Sequence, residues 1–469
     1  MFFDALDPTV ALTRSADVVI VGAGPAALTI ASHLGKQTEV LLIEAGGLHA
    51  TPGAMNSLVG TTSGLHYDLT ETRARQFGGA TSIWAGYCAL FDAIDFEERP
   101  GVRDVGWPIN ASELTRHYAQ AGNLLNLDGA GFDAERFSTP GIDNPVLCDP
   151  DRFQAAVWRF GRPKADFAVS CYSAIQTSRS IHALLATCVT EITVAPSGDS
   201  VTQLHVRGAN GGTGIIQGRC FILAAGGIET ARLLLASRSR YREGLANASG
   251  MVGRGFMEHP HRTVEGIEVR GDLDLSEWTG VSKDASGSPF ARLLGMSESA
   301  QRSASVLNAR AHLFRTPSMA ADETPRLGVF FEQSPDLDSR LTLGNEVDQF
   351  GMPRVNLHWA IAQADRRSHE IVASAMAEEL VRIGCAKAIG PFVPSEQILY
   401  SNHQLGTTRM SADRNSGVVD RNCRVHDLNN LYVAGGSVFP STSWANPSMT
   451  VLALSLRLRE HLSRRLVST

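Results

Sequence analysis

A glycine turn and one acidic residue carry the first recognisable chemistry in this chain of 469 residues. Gly22-Ala23-Gly24-Pro25-Ala26-Ala27 follows the apolar run DVVIV at 17–21 and opens a helical stretch at 28–34. Such a turn binds a pyrophosphate. Gly22 allows the tight bend, Gly24 lets the backbone approach, and the first N–H groups of a helix entered through Pro25 and Ala26 face the anion. Ala27 stands where the third glycine of this fingerprint falls, a variant the turn tolerates. Glu44 ends the next apolar strand, 39–43, and follows Gly24 by 20 residues. A carboxylate there accepts from ribose hydroxyls and repels a 2′-phosphate. The pattern predicts a dinucleotide site and disfavours NADP; by itself it leaves NAD and FAD open.

Two further glycine segments belong with it. RARQFGGATSIWAG at 73–86 pairs Gly78 with Gly79 for close backbone approach and offers Trp84 as an aromatic face; the alternative is a glycine-rich surface loop over a buried Trp. Gly435-Gly436-Ser437 follows the apolar run LYV and is expected to pass close to phosphates or a sugar chain. The histidines of EHPH at 258–261 invite a metal reading. With Pro260 between them and no further ligands in view, a structural or cofactor-adjacent role is favoured for His259 and His261.

The elements that position these residues alternate in α/β fashion. After the first βαβ unit the chain is irregular to about residue 100, a helix is expected at 111–125 capped by Asn110 or Ser112, and 126–165 reads as loop. A second α/β stretch runs through 181–236, where CFILAAGG is a buried strand entering another glycine turn before the helix ETARLLLASR. Residues 262–360 alternate as an antiparallel sheet, a helix follows at about 364–384, and the chain closes with a strand at LYVAGG and a long terminal helix. One nucleotide-binding domain is therefore expected from separated segments. Apolar residues are 43% and charged residues 19%, which excludes a largely disordered chain, and a net charge of −6 gives no sign of nucleic-acid binding. No uninterrupted apolar run is long enough to span a membrane. Seven cysteines without a C-x-x-C pair, and a start bearing Asp4 and Asp7, fit a cytoplasmic protein better than a secreted one.

The C-terminal block completes a recognisable order of motifs: NHQLGTTRM at 402–410, GVVD at 417–420, NLYVAGGSVFP at 430–440 and WANPSMT at 444–450. Together with the N-terminal glycine turn, FGGATSIW, GWPI at 106–109, AAGGIETARLLL at 224–235 and GRGFMEHPH at 253–261, the sequence resembles the glucose–methanol–choline (GMC) oxidoreductases over nearly its whole length. The resemblance implies FAD as cofactor and His403 as catalytic base, with Asn446, 43 residues later, as the second active-site residue. A neutral imidazole accepts a hydroxyl proton at physiological pH, and an amide holds the substrate oxygen without competing for that proton. Asn446-Pro447 also reads as the cap and first residue of the terminal helix.

By the same resemblance Arg75, Gly78, Gly79, Thr81, Ser82, Trp84 and Ala85, the Val189 backbone, Gly435, Gly436, Ser437, Pro447 and Met449 contact the cofactor, and no metal is expected. Implied with it are an α/β fold, α+β overall, with a Rossmann-like FAD domain in discontinuous segments and a substrate domain built on an antiparallel sheet flanked by helices. Segment boundaries fall at 1–105, 106–165, 166–262, 263–402 and 403–469. The expected activity is oxidation of a sugar, glycoside, aminoglycoside-type or polyol hydroxyl, with oxygen or another acceptor reoxidising the flavin. Steroid or aliphatic alcohols, and a lyase or decarboxylase on the same fold, are the alternatives. Some pyranose-oxidising relatives hold FAD covalently through a histidine two residues after the loop threonine; here that position is Ile83, which has no nucleophile. Acid precipitation is therefore expected to release the flavin into the supernatant. Colour retained in the pellet would contradict a non-covalent cofactor.

Overall fold

The computed structural model describes residues 1–35, 38–102, 105–129, 131–137, 148–315, 319 and 323–467. Part of the 126–165 segment, expected as loop, lies outside them.

β-Branched and leucine-rich runs buried on both faces form parallel strands. Arg14–Val21 pairs with Val40–Ile43 on one side and Thr213–Leu223 on the other. Val40–Ile43 continues to Ile181–Leu185 and that strand to Phe2–Asp4, while Leu431–Val433 joins Thr213–Leu223; all these pairings are parallel. Val201–Gly208 and Thr187–Val194 extend the sheet antiparallel. One sheet thus draws its strands from the start, the middle and the end of the chain. Helix Pro25–Leu34 packs between this sheet and the terminal helix Ser448–Val467, against which Thr115–Leu124 also lies.

The second sheet is antiparallel in the order Ser282–Lys283, Pro289–Met296, Ala309–Phe314, Arg326–Phe331, His261–Val269, Ala386–Pro394, with Phe153–Arg159 added beside Pro289–Met296. Val372, Ala373, Met376, Ala377 and Leu380 of helix Gln363–Arg382 share its apolar core. A small third sheet joins Arg340–Val347, Pro353–Trp359 and Thr61–Gly64. The helix expected at 111–125 is split into a 3-10 turn, Ala111–Glu113, and Thr115–Leu124; Asn110 and Glu113 close a reciprocal capping box there. Among the described residues no helix is long and apolar enough to cross a membrane.

Three parts of the chain meet at Glu229, in the first turn of helix Gly226–Ala236. Its carboxylate accepts from Arg73 at 2.6 Å, Arg75 at 2.5 Å and Arg232 at 3.0 Å, and Arg232 reaches on to Asp348 at 2.9 Å. The 73–86 loop, the helix and the small sheet are fixed to one another by these contacts. The arginines hold the Glu229 carboxyl well below the usual carboxylate range against the burial that would raise it. The cluster lies behind the glycine turns, with Glu44 close enough to interact with Arg75 and Glu229.

Removing one member of a buried pair leaves an uncompensated charge, so Glu229→Gln is expected to cost about 3–5 kcal/mol of unfolding free energy. Urea titration checks it. A carboxyl depressed on folding contributes stability above its unfolded pKa of about 4.3, and that share is lost as pH falls below it. The difference between wild type and Glu229→Gln should therefore shrink in acid.

Candidate active site

The edges of the first two sheets enclose one cavity of about 880 Å³. Gly22, Gly24, Pro25, Ala26, Glu44, Arg75, Gly79, Trp84, Ala85, Val189, Gly435, Gly436, Pro447, His403 and Asn446 all line it. Gly78, Thr81, Ser82, Ser437 and Met449 lie behind that lining. Gly78 donates its N–H to Ala23 O, the Thr81 and Ser82 hydroxyls donate to the carbonyls of Gly78 and Gly79, and Ser437 and Met449 are buried. The 78–82 turn is thus folded onto itself and shapes the wall from the rear.

The nucleotide end has the character of a cradle. Gly22, at φ 103°, crosses the strand end so closely that a Cβ would stand 2.5 Å from Ala224 O. At Gly24, Gly226 and Gly435 a Cβ would meet nothing within 4 Å, yet all three line the cavity. A side chain at any of these positions would fill space that the backbone leaves open. Helix Pro25–Leu34 starts here with Gly24 as cap and no side-chain capping bond, so its first N–H groups are available to an anion. Glu44 accepts from Ala23 N at 3.0 Å and Gly46 N at 2.8 Å. Each carboxylate oxygen keeps a lone pair for a hydroxyl. Burial pushes the Glu44 carboxyl pKa up, against those amides and Arg75. The residues fit a flavin dinucleotide.

At the other end stands His403, after a bend in which Asn402 takes φ 65°, a left-handed conformation asparagine tolerates. Its ring meets His259 edge-on, with Nδ1 to Nδ1 at 2.7 Å. His259 Nε2 lies 2.9 Å from the Thr442 carbonyl oxygen. A carbonyl only accepts, so His259 carries its proton on Nε2 and offers a bare Nδ1. His403 must then donate from Nδ1, which leaves Nε2 unprotonated, facing the Asn446 amide at 3.4 Å. Burial keeps both rings neutral: it pushes His259 down to about 4 and His403 well below the ordinary imidazole value.

Beneath them, the buried Glu258 carboxylate accepts the backbone N–H of His259 at 2.8 Å, of Ser401 at 2.7 Å, and of His403. It clamps 258–259 to 401–403. Burial raises its carboxyl to about 8, while the three amide donors favour the charged form. Sequence reasoning left His259 structural or cofactor-adjacent and gave no part to Glu258 or Thr442. The signal was the histidine of EHPH, because an imidazole that presents one bare nitrogen needs a partner to hold the proton on the other. Tyr87, Trp158, His312, Phe330 and Tyr400, which complete the cavity wall, carry no local motif.

Comparison with known proteins gives a consistent picture. Residues 335–455 match the family model described as GMC oxidoreductase. The large subunit of fructose dehydrogenase from Gluconobacter japonicus is 31% identical over 259 residues, a match spanning 51% of this chain and 46% of the dehydrogenase. Paromamine 6'-oxidase from Streptomyces fradiae is 24% identical over 96% of this chain and 92% of its own. Among solved structures, a formate oxidase of Aspergillus oryzae superposes with a TM-score of 0.64 at 16% identity, covering 97% of this chain and 99% of that one.

Proposed function

The chain belongs to the GMC oxidoreductases, FAD-dependent enzymes acting on CH–OH groups, and we propose that it oxidises a hydroxyl of a sugar, glycoside, aminoglycoside-type molecule or polyol to a carbonyl, with His403 as base. The observation that carries this reading is the unprotonated Nε2 of His403, fixed by its partner and turned toward the Asn446 amide in the cavity.

FAD, when bound, supplies the hydride acceptor. His403 Nε2 takes the hydroxyl proton, and Asn446 holds the substrate oxygen by an amide N–H. As His403 gains charge, its Nδ1–H bond to the neutral His259 becomes charge-assisted and strengthens. His259 is thus a positioning residue whose contribution grows in the transition state. Ile83, which lines the cavity beside the glycine turn, offers no covalent bond to the cofactor. The named substrates of the two relatives, fructose and paromamine, support the polyhydroxylated class. Seven free cysteines support a reducing, cytoplasmic setting.

Anaerobic titration of the FAD-loaded protein with sugars, glycosides, polyols and simple alcohols tests the reading. Bleaching of the flavin band by the polyhydroxylated members is expected, and readmitted air reports whether oxygen is the acceptor. Turnover with the flavin left oxidised would mean a lyase instead. His403→Ala should retain FAD and slow flavin reduction at least ~100-fold.

The His259 series separates its role from packing. His259→Asn keeps an acceptor bonded to Cγ where Nδ1 stands, whereas His259→Gln moves it one bond further. One lost hydrogen bond to a developing cation is worth about 1.5–3 kcal/mol, so His259→Gln should slow reduction by on the order of tenfold or more and His259→Asn should recover most of it. Because burial lowers the His403 pKa, the reduction rate should hold constant through neutral pH and fall only well below 6.5.

A further inference from the structure

Where the cavity meets the antiparallel sheet it is lined by a second pair of histidines that the proton transfer does not use. His261 begins strand His261–Val269 and His312 lies in Ala309–Phe314, with Arg326–Phe331 between them. Their rings meet across that middle strand, Nε2 to Nε2 at 3.2 Å. They meet over Gly328, where a Cβ would stand 2.7 Å from His261 Nε2 and 2.8 Å from His312 Nε2, so only glycine leaves room for the contact. His261 stacks on Phe330 at 4.3 Å, and Trp158 stands edge-on to both Phe330 and His312 at 5.2 and 5.5 Å.

Hydrogen-bond bookkeeping fixes what this pair offers. One Nε2 must donate and the other accept, so one ring has a bare Nδ1 and the other an Nδ1–H. Neither Nδ1 bonds another residue among the described ones, and both histidines line the cavity. Burial lowers both imidazoles, His261 to about 4 and His312 to about 3, so the pair stays neutral. The pair therefore offers one acceptor and one donor nitrogen, one on each ring, beside an aromatic wall. His261 follows His259, the partner of His403, by two residues, and His261, His312 and His403 line the same cavity.

We propose that the His261–His312 pair reads two neighbouring hydroxyls of a cyclic polyol, one donating to the bare Nδ1 and the other accepting from the Nδ1–H, with Trp158 and Phe330 against the C–H face of the ring. The assignment deepens the function proposed above and rests on it. It makes the pair a specificity determinant: a monohydroxylated ring of the same size satisfies neither nitrogen, and two neutral hydrogen bonds give a preference on the order of tenfold.

The test uses the FAD-loaded protein with D-glucose, 1,5-anhydro-D-glucitol and cyclohexanol. Binding is measured by calorimetry and anaerobic flavin reduction by stopped flow, for wild type, His261→Phe, His312→Phe and His261→Asn, each with FAD content checked. Expected is a polyol-over-cyclohexanol preference of about tenfold, expressed in Kd or KM rather than in the limiting rate. It should collapse toward one in either Phe variant and return in part with Asn, which restores a polar atom where Nδ1 stands. An unchanged preference in both Phe variants would overturn the inference, as would failure of both polyols to bind. Polyols that bind through the histidines without bleaching the flavin would uphold it and overturn the oxidation reading instead.

Discussion

The hydrogen bond between His403 and His259 is the contact on which the rest of the site turns, because it decides which nitrogen of His403 is free. That bond has a direction only because His259 is committed on its far side to the Thr442 carbonyl. The 441–446 loop that carries this carbonyl is in turn held from below. Trp107 donates to the Ser441 hydroxyl, Ser443 to Asp95 and Trp444 to Asp92, while Asn308 donates to both acids. Burial and the neighbouring Asp92 push the Asp95 carboxyl up to about 7. The same loop delivers Asn446, so the tautomer of His403 and the amide opposite it share one support.

The two sheets divide the work. The parallel sheet ends in glycine turns and a helix N-terminus, which suit a dinucleotide and discriminate little about substrate. The antiparallel sheet contributes the aromatic and imidazole wall, and His403 stands at their seam. Short antiparallel bridges, Met257 to Leu405 and His261 to Leu399, hold the segment entering strand His261–Val269 alongside 399–405 around it. The aromatic and imidazole side chains of this wall, Trp158, Phe330, His261 and His312, are uncharged.

What the sequence disclosed followed the range of the interactions. Gly22, Gly24 and Glu44 were legible because one βαβ unit sets their spacing, and the parallel strands because both faces are buried. His403 and Asn446 were legible through a resemblance in motif order. His259, Glu258 and Thr442 were not, since their partners lie 143 to 183 residues away and no periodicity marks them. Strand Phe153–Arg159 was hidden in a segment read as loop, and it is a strand only because Pro289–Met296 pairs with it. Ala386–Pro394 carries Gly390 and Pro391, which argue against a strand until it is seen at a sheet edge opposite the irregularity between Glu265 and Ile267.

The most direct measurement is a long-range proton–nitrogen correlation spectrum of the FAD-loaded protein with ring-labelled histidine, assigned by His403→Ala and His259→Asn. At pH 7 the account predicts two neutral rings of opposite tautomer, His403 protonated on Nδ1 and bare on Nε2, His259 protonated on Nε2. A proton on His403 Nε2, or a doubly protonated ring, would contradict it.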